Sequence, residues 1–248
     1  ANLGQDIPSL IQGSPSTIVT SDAGNGVGYS GVSIRGTDLT RINVTINSVP
    51  VNDAESQGVW FVDLPDLASS TANIQIQRGV GTSTNGAGAF GASINFMTSD
   101  LHQDPYGEMD ISGGSYNTFK TTLRFGTGLM TNKFSVDGRL SYIRSDGYID
   151  RASSTLRSYY LSGGYYGKKT TIKLITFSGS ERTYQAWEGV PKDSLATNRT
   201  YNPAGGYYDK NNNLVYYNNQ TDNYQQDNYQ LIFSQMIAKN WNFNAVVH

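Results

Sequence analysis

The stretch Ile74–Thr98, IQIQRGVGTSTNGAGAFGASINFMT, decides how this chain is read. It divides into two short strands, Ile74 to Arg78 and Ala92 to Thr98, around a run of Gly, Ser, Thr and Asn. Ile74, Ile76, Ile94 and Phe96 recur at period two, with Gln75, Gln77, Ser93 and Asn95 on the opposite face. Gly79, Gly81, Gly86, Gly88 and Gly91 permit positive φ and close approach of another backbone. Two strands with so little apolar surface need support from outside themselves.

Composition narrows what that support can be. The 248 residues include 27 Gly, 17 Tyr and only 7 Pro, a mixture suited to strands and turns. Mean hydropathy is -0.44. The formal charge of -2 offers no polyelectrolyte attraction for nucleic acid. Absence of cysteine excludes disulfides, thiolate metal sites and a thiol nucleophile. No run of about 18 apolar residues is present for a membrane helix, but a membrane β-barrel alternates apolar and polar residues and escapes that test.

Working outward toward the N-terminus, Asn2 to Ile11 reads as a short helix with Asn2 as its N-cap. Ser16–Thr20, Val32–Arg35 and Arg41–Ile46 read as strands, and Asn47-Ser48-Val49-Pro50 as a turn. A loop follows with Asp53, Glu55, Gln57, Trp60 and Phe61, then a short helix over Leu64–Ser70. Toward the C-terminus, long alternating strands begin at Tyr106. Phe134, Val136, Gly138, Leu140 and Tyr142 form an apolar face opposed to Ser135, Asp137, Arg139, Ser141 and Ile143. Leu123 and Phe125 oppose Lys120, Thr122 and Arg124 in the same way. Gly128–Asn132, Gly167–Lys169 and Ala238–Asn240 are short turns, whereas Ser145–Thr155 and Glu181–Gln226 are long connections. Short turns at one end and long loops at the other, apart from a short first external connection near Ser115 to Thr118, fit a transmembrane barrel, with Tyr159-Tyr160 and Tyr165-Tyr166 suited to interfacial girdles. A soluble or surface β-sandwich that binds glycans accounts for the alternation too.

Four motifs in order separate those alternatives. SIRGTD (Ser33–Asp38), NVTINSVPVNDAES (Asn43–Ser56), IQIQRGVG (Ile74–Gly81) and GAFGASINFMT (Gly88–Thr98) closely resemble the plug of TonB-dependent outer-membrane receptors, in the ferric-citrate-receptor-like flavour of Bacteroidetes-type bacteria. Ser48 departs from the Gly usual in the family, which should alter the local turn. The resemblance implies a mainly β protein: a small α+β plug domain over residues 1–103, followed over 104–248 by the N-terminal antiparallel strands of a transmembrane β-barrel of about 22 strands, here truncated. It further implies no enzymatic activity and no cofactor. The expected place is the outer membrane of a Gram-negative cell. Expected partners are TonB with its inner-membrane energising complex, outer-membrane lipid, a ferric chelate (siderophore) as ligand, and a surface lipoprotein. The TonB-contacting segment would precede Ala1.

Candidate sites follow from residue chemistry. Gly86, Gly88 and Gly91 spell G-x-G-x-x-G, but a strand rather than a helix follows, so packing outweighs phosphate binding. Asp53, Glu55, Gln57, Trp60 and Phe61 make a plug apex facing ligand, or a solvated loop with a hydrophobic anchor. Asp53 with Glu55 as a hydrolytic or Ca²⁺-binding pair lacks a third ligand at fixed spacing. Arg182, Tyr184 and Trp187 open the aromatic-rich insertion and are a second set of ligand-binding candidates. Arg35 and Arg78 anchor the plug by the same resemblance, through barrel glutamates, so that Arg78→Ala would loosen it. The two histidines, His102 and His248, are far apart in sequence and give no support to a metal site.

Overall fold

Residues 2–80, 88–98 and 101–248 are described in a computed structural model, so Gly81 and Gly86 lie outside the described residues. The opening stretch forms β5 (Thr71–Arg78) and β6 (Ala92–Thr98), paired antiparallel with Ile74 opposite Phe96 and Ile76 opposite Ile94. A parallel partner, β3 (Ile42–Ile46), lies on the other side of β6, and β4 (Val49–Pro50) turns back on β3, giving the order β4-β3-β6-β5. Ile42, Val44, Ile46, Ile94 and Phe96 are fully buried between the sheet and its surroundings. The β3–β4 turn holds Asn47 at φ 55° and Ser48 at φ 69°, both left-handed, which is the two-residue geometry that favours Asn-Gly. A separate hairpin joins β1 (Thr17–Ser21) to β2 (Ser30–Ile34).

Two expected helices are shorter than the sequence suggests. The first, α1 (Ile7–Ile11), is capped by Asp6, whose carboxylate accepts from the Ile7 amide. Pro8 sits in its first turn, where its missing N–H costs nothing. Asn2 caps nothing and instead reaches Asp66. In place of a helix over Leu64–Ser70 there are two 3-10 turns, Phe61–Asp63 and Leu67–Ser70, separated by Asp66 at φ 55°.

From Tyr106 the chain forms one antiparallel wall. Its strands are β7 (Tyr106–Gly114), β8 (Thr118–Gly126), β9 (Phe134–Ser145), β10 (Ser154–Tyr166), β11 (Thr170–Tyr184), β14 (Thr221–Ala238) and β15 (Trp241–Val247). A small hairpin, β12 (Gly206–Tyr208) with β13 (Leu214–Tyr216), lies between β11 and β14, which are themselves neighbours in the seven-stranded sheet. The faces are inverted relative to a soluble protein. On β9, Leu140 is 54% exposed while its neighbour Arg139 is 4% exposed. Lys120, Thr122, Ser135, Asp137 and Glu181 are buried on the inner face, whereas Phe125, Phe134, Leu174 and Leu231 stand out on the other. A sandwich buries its apolar face against a second sheet; this wall turns that face outward, as a membrane barrel requires. The sandwich alternative is thereby corrected.

Connections alternate apart from the first: short turns join β8 to β9, β10 to β11, and β14 to β15, while on the opposite side β7 and β8 are joined by only residues 115–117. The long insertion is smaller than its sequence outline, because β11 runs to Tyr184 and β14 starts at Thr221. The girdle reading also needs correction at Tyr160. Adjacent residues in a strand face opposite ways, and Tyr160 points inward, donating from its hydroxyl to Thr98 Oγ1 at 3.0 Å.

The plug packs on the inner face of this wall, and Tyr160, Ile175 and Phe177 join its hydrophobic core. Gly179 makes the closest approach possible, since a Cβ there would collide with the Asp63 carbonyl and Pro65.

Candidate functional site

Between the plug and the long-loop ends of β10, β11 and β14 lies an open cavity of about 900 Å³. The plug contributes Trp60 and Asp63 from the first 3-10 turn and its approach, and Tyr29 from the segment before β2. The wall contributes Thr183 and Tyr184 from the end of β11 and Asp222 and Tyr224 from the start of β14. Register places Thr183 opposite Asp222, so both inward side chains meet the same space. The Tyr29 hydroxyl donates to Asp222 Oδ2 at 2.8 Å and fastens the plug to the wall there. Burial, then the Asp222 contact and the Glu181, Asp222 and Asp63 charges, push the Tyr29 hydroxyl well above its ordinary pKa.

Asp63 sits at the cavity floor. It is 6% exposed, and its Oδ1 accepts no hydrogen bond among the described residues. Burial, with a smaller contribution from the Asp222 charge, pushes its pKa up to about 7.

Three residues further on, Asp66 is arranged in the opposite way. Its carboxylate accepts from Lys120 Nζ at 2.6 Å, Thr122 Oγ1 at 2.7 Å, and the Ser141 and Ser69 hydroxyls at 2.6 Å each. Arg139 Nη1 lies 3.4 Å from Asp66 Oδ2 and donates to the Asp66 carbonyl at 2.5 Å. The Pro65 carbonyl accepts from Ser158 at 2.7 Å. Burial alone would raise the Asp66 pKa, but the Arg139 and Lys120 cations and the hydrogen bonds from Lys120 and Ser141 outweigh it and hold the carboxyl at about 2. A second fastening is neutral: Asn47 Nδ2 donates to Gln230 Oε1 at 3.0 Å, and Gln230 Nε2 donates to the Ile46 carbonyl at 3.2 Å.

The residues singled out from sequence divide accordingly. Asp53, Glu55, Trp60, Tyr184 and Trp187 all line the cavity. Gln57 does not line it; at φ 59° it closes the loop, donating from its amide to the Asp53 carbonyl. Phe61 is fully buried, edge-on to Phe96 at 6.4 Å, because the 3-10 turn directs Trp60 outward and Phe61 into the sheet. Arg182 is exposed on the outer side of β11, since Glu181 and Thr183 take the inward positions. Asp53 Oδ1 is occupied by the Glu55 and Ser56 amides, which leaves it a loop-shaping group rather than a hydrolytic one. Arg78 is exposed and donates to the Pro15 carbonyl at 3.4 Å, while Arg35 lies over Gly79. Neither forms an ion pair with the wall among the described residues.

Sequence reading did not single out Tyr29, Asp63, Asp66 or Asp222. A signal existed for Asp66: Lys120 and Arg139 occupy the middle of strands on the inward face, where an unpaired charge is costly, and LPDL offers a carboxylate between two apolar anchors.

Comparison with known proteins agrees with this geometry. Residues 2–93 match the family model described as TonB-dependent Receptor Plug Domain. Among curated proteins none matches the chain. Solved structures do. The ferric-catecholate import receptor Fiu of E. coli K12 is 15% identical, with a TM-score of 0.74, over 98% of this chain and 35% of that one. The siderophore receptor PirA of Acinetobacter baumannii is 13% identical, with a TM-score of 0.70, over 98% and 36%. The pyoverdine outer-membrane receptor FpvA of Pseudomonas aeruginosa PAO1 is 13% identical, with a TM-score of 0.69, over 98% and 34%. The chain spans about a third of the length of those structures. Residues 2–93 thus match a TonB-dependent receptor plug domain, and the chain shares the fold of these solved structures: a plug seated against an antiparallel wall of strands.

Proposed function

We propose that this chain is part of an outer-membrane receptor that imports a scarce ligand, a ferric chelate, by TonB-coupled rearrangement of the plug. One observation carries the reading: the cavity opens on the long-loop side of an inside-out wall and is floored by the plug, so a ligand held there rests on the element that must move. Of the named solved receptors, one is a siderophore receptor, one a pyoverdine receptor and one a ferric-catecholate import receptor, which supports iron as cargo. The ferric-citrate-like assignment, the contact with TonB and the location in a Gram-negative outer membrane belong to the same proposal. Arg35 and Arg78 remain proposed plug anchors, exposed in this chain and available to other strands. The cavity-lining Asp53, Glu55, Trp60, Tyr184 and Trp187 are the proposed ligand contacts.

The test is uptake of radiolabelled iron from a panel of chelates by cells carrying the intact receptor, with and without TonB. Uptake of one chelate that disappears without TonB is expected. Uptake that persists unchanged without TonB, or recovery of the receptor in a soluble fraction, overturns the proposal.

A further inference from the structure

The cavity has one sign of charge. Asp22, Asp53, Glu55, Asp63 and Asp222 line it, and among the described residues no Lys or Arg does. Acidic side chains alone would mark only a hydrated surface, but two further observations point to an occupant. Asp63 is a buried carboxylate with an unpartnered oxygen, facing the cavity from its floor. A carboxyl group in that position stays charged only if a cation or a hydrogen-bond donor completes it, and otherwise takes up a proton; Asp66 shows how this fold completes one when the partner is internal. Two indoles also border the same space, Trp60 at 51% and Trp187 at 69% exposure, and their faces attract cations. The nearby Arg151 does not fill the role, because its guanidinium stacks on Tyr216 at 3.6 Å and donates to the Asn202 carbonyl.

We infer that the cavity floor binds an organic cation, an ammonium or guanidinium group, with Asp63 and Asp222 as its carboxylate partners and Trp60 and Trp187 as its aromatic walls. A bare metal ion is a poorer occupant, since among the described residues no group of three ligating side chains is spaced to hold one. Taken with the import reading, on which this part rests, the cargo is a chelate with a cationic arm.

The probes are butylguanidinium and its anionic counterpart butylsulfonate, titrated against tryptophan fluorescence of the intact receptor in detergent, with Trp60→Phe assigning the signal. A ferric trihydroxamate with a primary ammonium tail is compared with the same chelate N-succinylated. Butylguanidinium should bind saturably and butylsulfonate should not; the ammonium chelate should bind at least tenfold tighter than the succinylated one. Asp63→Asn and Asp222→Asn should each weaken the cation at least tenfold, and Asp222→Asn alone decides if Asp63→Asn does not fold. Equal binding of cation and anion, or affinity unchanged in the variants, overturns the inference. The butylguanidinium result stands apart from transport. Its failure beside intact TonB-dependent uptake sinks the cation site only, whereas saturable binding without such uptake sinks the import reading only.

Discussion

Asp63 and Asp66 belong to one short segment, VDLPD, and are buried almost equally, yet they meet opposite fates. Asp66 faces the wall at β8 and β9, where Lys120, Arg139, Thr122 and Ser141 saturate it. Asp63 faces the cavity and, among the described residues, has no cation beside it. Burial raises both carboxyls, and only partners decide the sign of the net shift, to about 2 for Asp66 and about 7 for Asp63. One turn of chain thus holds one saturated carboxyl group and, among the described residues, one unsaturated.

Breaking the completed side should have the largest effect. Asp66→Ala leaves Lys120 and Arg139 buried without their carboxylate, and removal of one partner from such a cluster costs about 3–5 kcal/mol. Hydrogen exchange of β8, β9 and the segment around Leu67 in the intact receptor reads this as lost protection; unchanged protection would show that the seam does not depend on the carboxylate.

Next comes the pH response, whose sign differs between the two. The Asp66 carboxyl titrates lower in the folded than in the unfolded chain, so its contribution is present above the ordinary value of 3.8 and is lost as pH falls toward about 2. The Asp63 carboxyl titrates higher when folded, so its contribution is favourable at low pH and declines as pH rises from 3.8 through about 7. Asp63→Asn should therefore stabilise the plug at pH 8 by about 1–2 kcal/mol, discounted because the cavity beside it is open to water, and by nothing below pH 4. Thermal melts of the variant at the two pH values check the difference.

Away from both carboxylates, Ser48→Gly relieves a left-handed residue in the β3–β4 turn and should raise stability by a few tenths to about 1 kcal/mol. A smaller or negative change would show that the Asn47–Gln230 contact already fixes the turn.

Much of this architecture was legible in the sequence because it follows from alternation. Ile74, Ile76, Ile94 and Phe96 share the face their spacing predicts, and the wall strands alternate as Phe134–Tyr142 does. Periodicity identifies two faces but not what lies across from either, and the site is made of what lies across. Nothing local to Asp63 and Asp66 distinguishes them; the difference comes from Lys120 and Arg139, more than fifty residues away. Trp60 and Phe61 look equivalent in a loop until a 3-10 turn sends one to the cavity and the other to the core. The insertion was outlined too generously because Glu181–Tyr184 and Thr221–Gln226 lack apolar alternation, though backbone pairing carries them on as strands.

The inner face of the wall has a mechanical consequence. Hydrogen bonds at the Asp66 seam act over about 3 Å and are lost once stretched or bent, so the joint is stiff for small displacements and brittle for larger ones. An apolar joint would resist in proportion to the area uncovered, and would creep. Were this one to part, water would solvate Lys120, Arg139 and Asp66 at once, whereas a parted apolar joint would leave its surface against water.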